Sequence, residues 1–487
     1  MVRPEPRDTE RPFHLHELFF STTDERGVIV HGNKVFVRVS GYAEEQLIGA
    51  PHSIVRHPDM PRCVFQLLWD TIRSQQTIVA YVKNLASDGS YYWVLAVVTP
   101  FPGGYLSIRL KPSAPLFQQV KGLYGELLKT EREIEQRGVK ERAMAIVAST
   151  SLLQQAVKRL GFADYQSFMA HALQTELEHR WKGVESHNSV ASIPFQLRNS
   201  LSYTAWEHTR YLEQALQQAS QQLGEFRKTN HVLMSQSDSI LMTAESIDTL
   251  SMNARISSNL QGVQGATLQV IAHALGEVST EIQAITDEFI SQAKRAAKTL
   301  DNLAFDIATA ILQIQVCRQF LEEILLDQGG ILNEQTQQSL RIVLAEITQR
   351  TAAVFSGLQE AEKTLRSLHG QVERLARNNR RLLFVQFAGK KEAVQQRGAV
   401  NFSVVFEQVR EQITGTMGSC TILEETVLDL RTRLAKLYAQ KGPIQECLTE
   451  FNDCLLSQSG NASRPMVAIN NEQGQHLTLA GSFAKVC

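Results

Sequence analysis

Proline is spread so unevenly along this 487-residue chain that it divides the fold before any other feature is read. Nine of the 13 prolines lie within residues 1–112, and only Pro194 stands between Pro115 and Pro443. Proline lacks an amide hydrogen and its ring clashes with the preceding helical turn. A stretch nearly free of it can run as long helices, whereas a proline-rich stretch must turn often. The distribution predicts a compact, turn-rich N-terminal domain ahead of a long helical body.

The body carries heptad character. Leu268, Ile271, Leu275, Val278, Ile282, Ile285 and Phe289 step by threes and fours, as do Ile347, Thr351, Val354, Leu358, Ala361, Leu365, Leu368, Val372 and Leu375. Leu233, Ile240, Ile247 and Ala254 recur every seventh residue. Such stripes bury a bundle core, and as coiled-coil seams they predict a homodimer. Gly329-Gly330 and Gly442-Pro443 read as helix stops. Pairing Leu268 with Phe402 and Val270 with Val404 suggests an internal duplication of a helical hairpin. The resulting division is a flexible N-terminus (1–15), a turn-rich domain (16–112), a helical connector (113–230), a helical hairpin (231–328), a second helical region (331–457) and a loose tail (458–487).

In the turn-rich domain, "GVIVHGN" (27–33), "TIVAYVKN" (77–84), "SYYWVLAVV" (90–98) and "GYLSIRL" (104–110) are β-branched, aromatic and bounded by turn residues, which predicts strands. Asp88-Gly89 is a hairpin signal between two of them. "VFVRVSGYAEEQLIG" (35–49) and "CVFQLLWDTIRS" (63–74) predict short helices. The expected fold is α+β, an antiparallel sheet with short helices on one face, followed by a long all-α bundle or coiled coil. Between the helices runs "GYAEEQLIGAPHSIVRHPDMP" (41–61), stiffened by Pro51, Pro58 and Pro61. Fixing a loop costs conformational entropy, so a loop this rigid is expected to hold something.

Composition narrows the function. Lys plus Arg is 49 and Asp plus Glu is 50, a balance that gives no reason to expect nucleic acid or a membrane surface. The six cysteines form no C-x-x-C pair and are expected to be reduced thiols. The apolar stretch 91–101 is about half a membrane span. The N-terminal residues lack the apolar core of a signal peptide, and a cytoplasmic protein without a transmembrane segment is expected. No phosphate-binding loop, nucleophile elbow or kinase glycine loop occurs, so an enzyme is not expected. Glu176, His179 and His171 share a helical face suggestive of a metal, but a di-iron bundle needs a second such step and two more carboxylates.

"STTDERGVIVHGNKVFVRVSGY" (21–42), "LIGAPHSIVRHPDMP" (47–61), "VKN" (82–84) and "DGSYYWV" (88–94) resemble the PAS domain of bacterial aerotaxis receptors across nearly all of residues 16–112. That family holds FAD without a covalent bond and reads its redox state, so the resemblance implies an FAD pocket. The positions matching the family's flavin contacts are Asn33, Arg56, His57, Asp59, Phe65, Trp69 and Asn84. Their chemistry suits the role: Trp69 offers a flat apolar face, Arg56 and His57 offer donors, and Asn33 and Asn84 can donate and accept. Asp59, two residues before Pro61, suits a helix cap better than a flavin contact. Two other readings stay open: a haem pocket with His31, His52 or His57 as axial ligand, and a cofactor-free PAS scaffold for protein–protein interaction.

"LSMNARISSNLQGVQGATLQVIAHALGEV" (250–278) resembles the cytoplasmic hairpin tip of methyl-accepting chemotaxis receptors, with Leu250, Asn253, Ala254, Gly262, Gln264, Gly265, Val270 and Ala272 matching. The resemblance implies contact with a chemotaxis histidine kinase and its coupling protein. Ser257 and Leu260 stand where that family has Glu and Arg, so the contact loses two charged determinants.

Overall fold

The structure is a computed structural model and describes residues 4–136, 138, 141–183, 193–260, 265–327, 334–395 and 400–457. Residues 261–264, within the stretch that resembles the chemoreceptor tip, Gly329-Gly330, and residues 458–487, expected to be a loose tail, lie outside them.

Five antiparallel strands form the N-terminal sheet: β1 (Leu18–Asp24), β2 (Ile29–Gly32), β3 (Ile78–Leu85), β4 (Tyr91–Phe101) and β5 (Gly104–Leu110), in the order β2-β1-β5-β4-β3. Three short helices, α1 (Lys34–Ser40), α2 (Glu44–Leu47) and α3 (Arg62–Arg73), lie between β2 and β3. The last four strands and α3 match the sequence expectation, whereas the single helix expected over 35–49 is broken into α1 and α2 at Gly41, whose φ of +73° ends α1. β1 does not match it, because "LFFSTTD" is buried along most of its length and shows no alternation. The sheet was expected to carry helices on one face only. The structure buries both faces, and every residue of β5 is buried. The second face packs against α4 (Leu116–Glu135), α6 (Tyr165–Gly183) and α8 (Ala266–Asp327), with α5 (Arg142–Arg159) beside α4 and α3.

Two buried charged residues of α6 fasten this second layer. The Glu176 carboxylate accepts from Tyr81 Oη (2.9 Å) on β3 and from the Ala114 amide (2.8 Å) at the start of α4. It thereby caps α4, whose first residues carry no side-chain cap of their own. Arg180 donates Nη2 to the His16 carbonyl (2.6 Å) and Nη1 to that of Leu15. Residues 7–13, expected to be loose, run beside the start of β4, with Arg11 N to Tyr91 O and Tyr91 N to Thr9 O closing a ladder. Backbone pairing and the burial of Phe13 hold this strap in place.

The helical body is a four-helix bundle made by one chain. α7 (Leu201–Leu260) and α8 form one antiparallel hairpin, α9 (Glu334–Gln395) and α10 (Val400–Ala439) a second, and α10 returns against α7. α7 begins at Leu201, so it crosses the expected boundary at 230 without a break. α11 (Lys441–Ser457) packs on α7 and α9; Gly442-Pro443, read as a stop, sits in its first turn, where proline is tolerated. The seam residues from Leu233 to Ala254, from Leu268 to Phe289 and from Ile347 to Leu375 are buried within the chain, with Ile271 packed at the margin. Leu268 and Phe402 are both buried and Val270 and Val404 both exposed, a pattern that two amphipathic helices in this register share with or without a duplication. One helix, Ala266–Leu326, is long and apolar enough to cross a membrane by length and composition, yet 83% of its apolar window is buried inside the protein.

Because both hairpins come from one chain, the thermal midpoint of the bundle is expected to be independent of protein concentration. Circular dichroism melts over a hundredfold range of concentration check this; a midpoint rising with concentration would show that the stability of the bundle depends on a second chain.

Candidate functional site

Side chains alternate across a strand, so one face of the N-terminal sheet collects Tyr105, Ser107 and Arg109 from β5, Ala96 and Val98 from β4, and Val82 and Asn84 from β3. The loop 52–56 and α3 close over this face and leave a cavity of about 130 Å³. Arg56, Phe65 and Trp69 complete its wall. The Arg56 guanidinium lies over the Phe65 ring at 3.7 Å, and Trp69 meets Tyr105 edge-to-face at 5.8 Å. Gly27, with φ of +79°, lets the Trp69 ring approach to 2.8 Å from where a Cβ would sit.

Four of the seven expected residues, Arg56, Phe65, Trp69 and Asn84, therefore come together. The other three do not reach the cavity. Asn33 caps α1: its Oδ1 accepts from the amides of Phe36 and Phe20 (both 3.2 Å), and its Nδ2 donates to the Leu18 carbonyl (3.1 Å). His57 is buried edge-on to Tyr91 and accepts the Asp59 amide on Nδ1 (3.1 Å). Asp59 turns outward to Lys83 (3.2 Å) and Arg132 (2.9 Å). Partial burial pushes its carboxyl upward, but Lys83, His57 and Arg132 outweigh that and hold it below the ordinary carboxylate range.

Nor does Asp59 cap α3. The buried Glu131 of α4 does so, accepting from the amides of Arg62 (2.8 Å) and Cys63 (3.0 Å) and from Ser149 Oγ (2.7 Å). A carboxylate suits a helix N-terminus because the amides there have no intrahelical acceptor. The helix that carries Phe65 and Trp69 is thus held by the helix that leaves the domain.

The residue that sequence reasoning missed is Arg109. It is buried, and no carboxylate pairs with it among its described contacts. Its Nη2 donates to Ser21 Oγ (3.0 Å) and to His52 Nε2, its guanidinium lies 5.1 Å from the Phe36 ring, and its Nη1 has no partner. Burial presses its pKa down to about 10, which still leaves it charged at neutral pH. Asn84 repeats the pattern: its amide lies near the Tyr92 hydroxyl, yet its Nδ2 makes no well-formed hydrogen bond. Two buried donors without acceptors, on the wall of one cavity, cost free energy unless a ligand supplies the acceptors. Serine and arginine at alternate positions of an otherwise apolar strand were the available signal.

Among the described residues no group of histidine, cysteine and carboxylate side chains could hold a metal, and Glu176 is committed to its clamp. The described cysteines are unpaired.

The family described as PAS fold matches residues 29–105. The aerotaxis receptor of Escherichia coli (strain K12) is 40% identical over 112 residues, which is 22% of this chain and 22% of that protein. The nitrogen fixation regulatory protein of Klebsiella pneumoniae is 32% identical over 80 residues, 16% of each chain. The chain thus matches about a fifth or less of the length of these curated relatives. Among solved structures, the PAS domain of a protein from Colwellia psychrerythraea is similar at 24% identity, over 19% of this chain and 85% of that one, with a TM-score of 0.18.

His52 gives the site a pH signature. Burial, then the Arg109 charge, lowers its pKa well below the ordinary 6.5. The folded domain keeps His52 neutral while the unfolded chain takes up a proton, so stability falls as pH drops below 6.5, by about 1.4 kcal/mol per pH unit for one proton. His31, also lowered by burial, adds in the same direction. Urea unfolding followed by tryptophan fluorescence between pH 7.5 and 5.5 is expected to show this loss, and His52→Gln to reduce it; an unchanged slope in the variant would contradict a neutral buried His52. The N-terminal domain of this chain is a PAS domain, homologous to that of the aerotaxis receptor.

Proposed function

We propose that the PAS domain binds FAD and passes its redox state to the helical bundle, making the chain a cytoplasmic redox or oxygen sensor and a signal transducer, not an enzyme. The observation that carries this reading is the pair of acceptor-less donors, Arg109 Nη1 and Asn84 Nδ2, in a cavity walled by Trp69 and Phe65. A planar heterocycle with carbonyl and imine acceptors matches that donor set, and aromatic walls suit its faces. Bound flavin supplies reversible electron transfer; the chain supplies placement and charge. The cavity is below the roughly 300–1,000 Å³ usual for such ligands. Loading therefore has to turn Phe65, Arg56 or Trp69 aside, which breaks no strand pairing.

Haem fits less well. Of His31, His52 and His57, only His52 lines the cavity, and its Nε2 already accepts from Arg109. The relatives support a signalling role for the domain, since one is an aerotaxis receptor and another a nitrogen fixation regulatory protein. The bundle's likeness to chemoreceptors is a weaker guide to its output. Ser257 is exposed near the tip where a charged contact is missing, so pull-down of a chemotaxis histidine kinase and its coupling protein is expected to be weak. A homodimer of this transducer would join through faces other than the seams, which each chain uses internally.

Titration of the purified full-length chain with FAD, read by visible absorption and fluorescence quenching, tests the proposal. Arg109→Leu is expected to weaken FAD binding at least about tenfold, because a hydrogen bond from a charged group is lost. The same variant should leave the unliganded protein as stable or more stable, because an unpaired buried charge is gone. Trp69→Ala should also lower occupancy. Full FAD occupancy in both variants would refute the assignment. A colourless protein that never binds FAD would favour the cofactor-free scaffold.

A further inference from the structure

The loop that closes the inner cavity has a second cavity on its other side. Ser53 and Arg56 line both the inner cavity and this outer cleft of about 680 Å³ between that loop and α4. The outer cleft has an apolar part, with Ile54, Met60 and Leu128, and a cationic part, with Arg62 on one bank and Arg132 on the other. Its two carboxylates are committed: Glu131 caps α3, and Glu135 pairs with Arg62 at 2.6 Å. Arg132 pairs with Asp59 at 2.9 Å, but both side chains are largely exposed, and such pairs exchange partners at little cost.

We propose that this cleft receives the diphosphate and nucleoside end of the ligand whose ring enters the inner cavity, with Arg132 as a phosphate contact supplied by the connector helix. The proposal rests on the flavin reading and extends it. An apolar bank suits a nucleobase, and Arg132, whose guanidinium fork matches phosphate oxygens, suits a diphosphate, while Arg62 stays with Glu135. The span from Arg109 through Arg56 to Arg132 makes the ligand a bridge between sensor and connector. Loading then draws α4 towards the loop, and α4 is the helix whose Glu131 holds α3.

Two probes separate the parts of this claim on the full-length chain: riboflavin, which has the ring without phosphate, and ADP, which has the tail without the ring. FAD is expected to bind at least about tenfold tighter than riboflavin, and ADP to compete with FAD but not with riboflavin. Arg132→Ala, and Leu128→Trp, which fills the cleft, should weaken FAD and ADP about tenfold and leave riboflavin unchanged. ADP should slow amide hydrogen exchange over residues 128–135. Equal affinity for FAD and riboflavin, with no ADP binding, would overturn the cleft assignment while leaving the flavin reading in place. ADP binding that Arg132→Ala abolishes, with no riboflavin binding, would retain the cleft as a nucleotide site and overturn the flavin reading.

Discussion

The N-terminal sheet has no solvent face, and most of the architecture follows from that constraint. An antiparallel sheet commonly shows one polar, solvated side. Here Phe20 packs edge-on against Phe320 of α8, Tyr81 stacks on Phe117 of α4, and Glu176 of α6 bonds to both β3 and α4. On the bundle side, Arg350 of α9 joins Asp306 of α8 to Thr77 beside β3. The PAS domain therefore cannot change the shape of its sheet without disturbing packed helices, because dense interiors transmit strain.

The opposite face of the same sheet carries the ligand chemistry. An unpaired guanidinium in a protein interior is a large unfavourable term, and side chains such as His52 and Ser21 offset only part of it. Natural chains keep such a residue where function requires it. Arg109 stands at the register position opposite Phe19 of β1 and Ala96 of β4, in the middle of the sheet, so whatever satisfies its Nη1 acts on the strands that α8 covers. Glu131 supplies a second route, since it ties the helix bearing Trp69 to the helix leaving the domain.

Much of this was legible in the sequence, and the failures have physical causes. Proline spacing separated the domains, and β-branched runs located β2 to β5. The seams located the bundle helices, but periodicity reports only that a stripe is buried and not whether the partner belongs to the same chain. β1 was missed because a strand buried on both faces shows no alternation. α5 and α6 could not be assigned because their apolar periodicity is weak: α5 exposes Met144 and Val147 and buries Ser149, and α6 is buried on several sides, with Glu176 and Arg180 inside. In the site, resemblance found Arg56, Phe65, Trp69 and Asn84. It could not distinguish them from Asn33, His57 and Asp59, whose polar groups serve a helix cap, a loop and surface ion pairs. Arg109 looked like one charge in a strand until pairing placed it opposite Phe19 and Ala96, in the middle of the sheet.

The central claim is that the state of the PAS cavity reaches the bundle through the layer that covers the sheet. Amide hydrogen exchange of the FAD-loaded full-length chain, compared between oxidised and chemically reduced flavin, tests it most directly. The account predicts that exchange changes in β5 and α3 are accompanied by changes in α4 around Glu131, in α6 around Glu176 and in α8 near Phe320. Changes confined to the cavity wall, with α4, α6 and α8 unaltered, would contradict it.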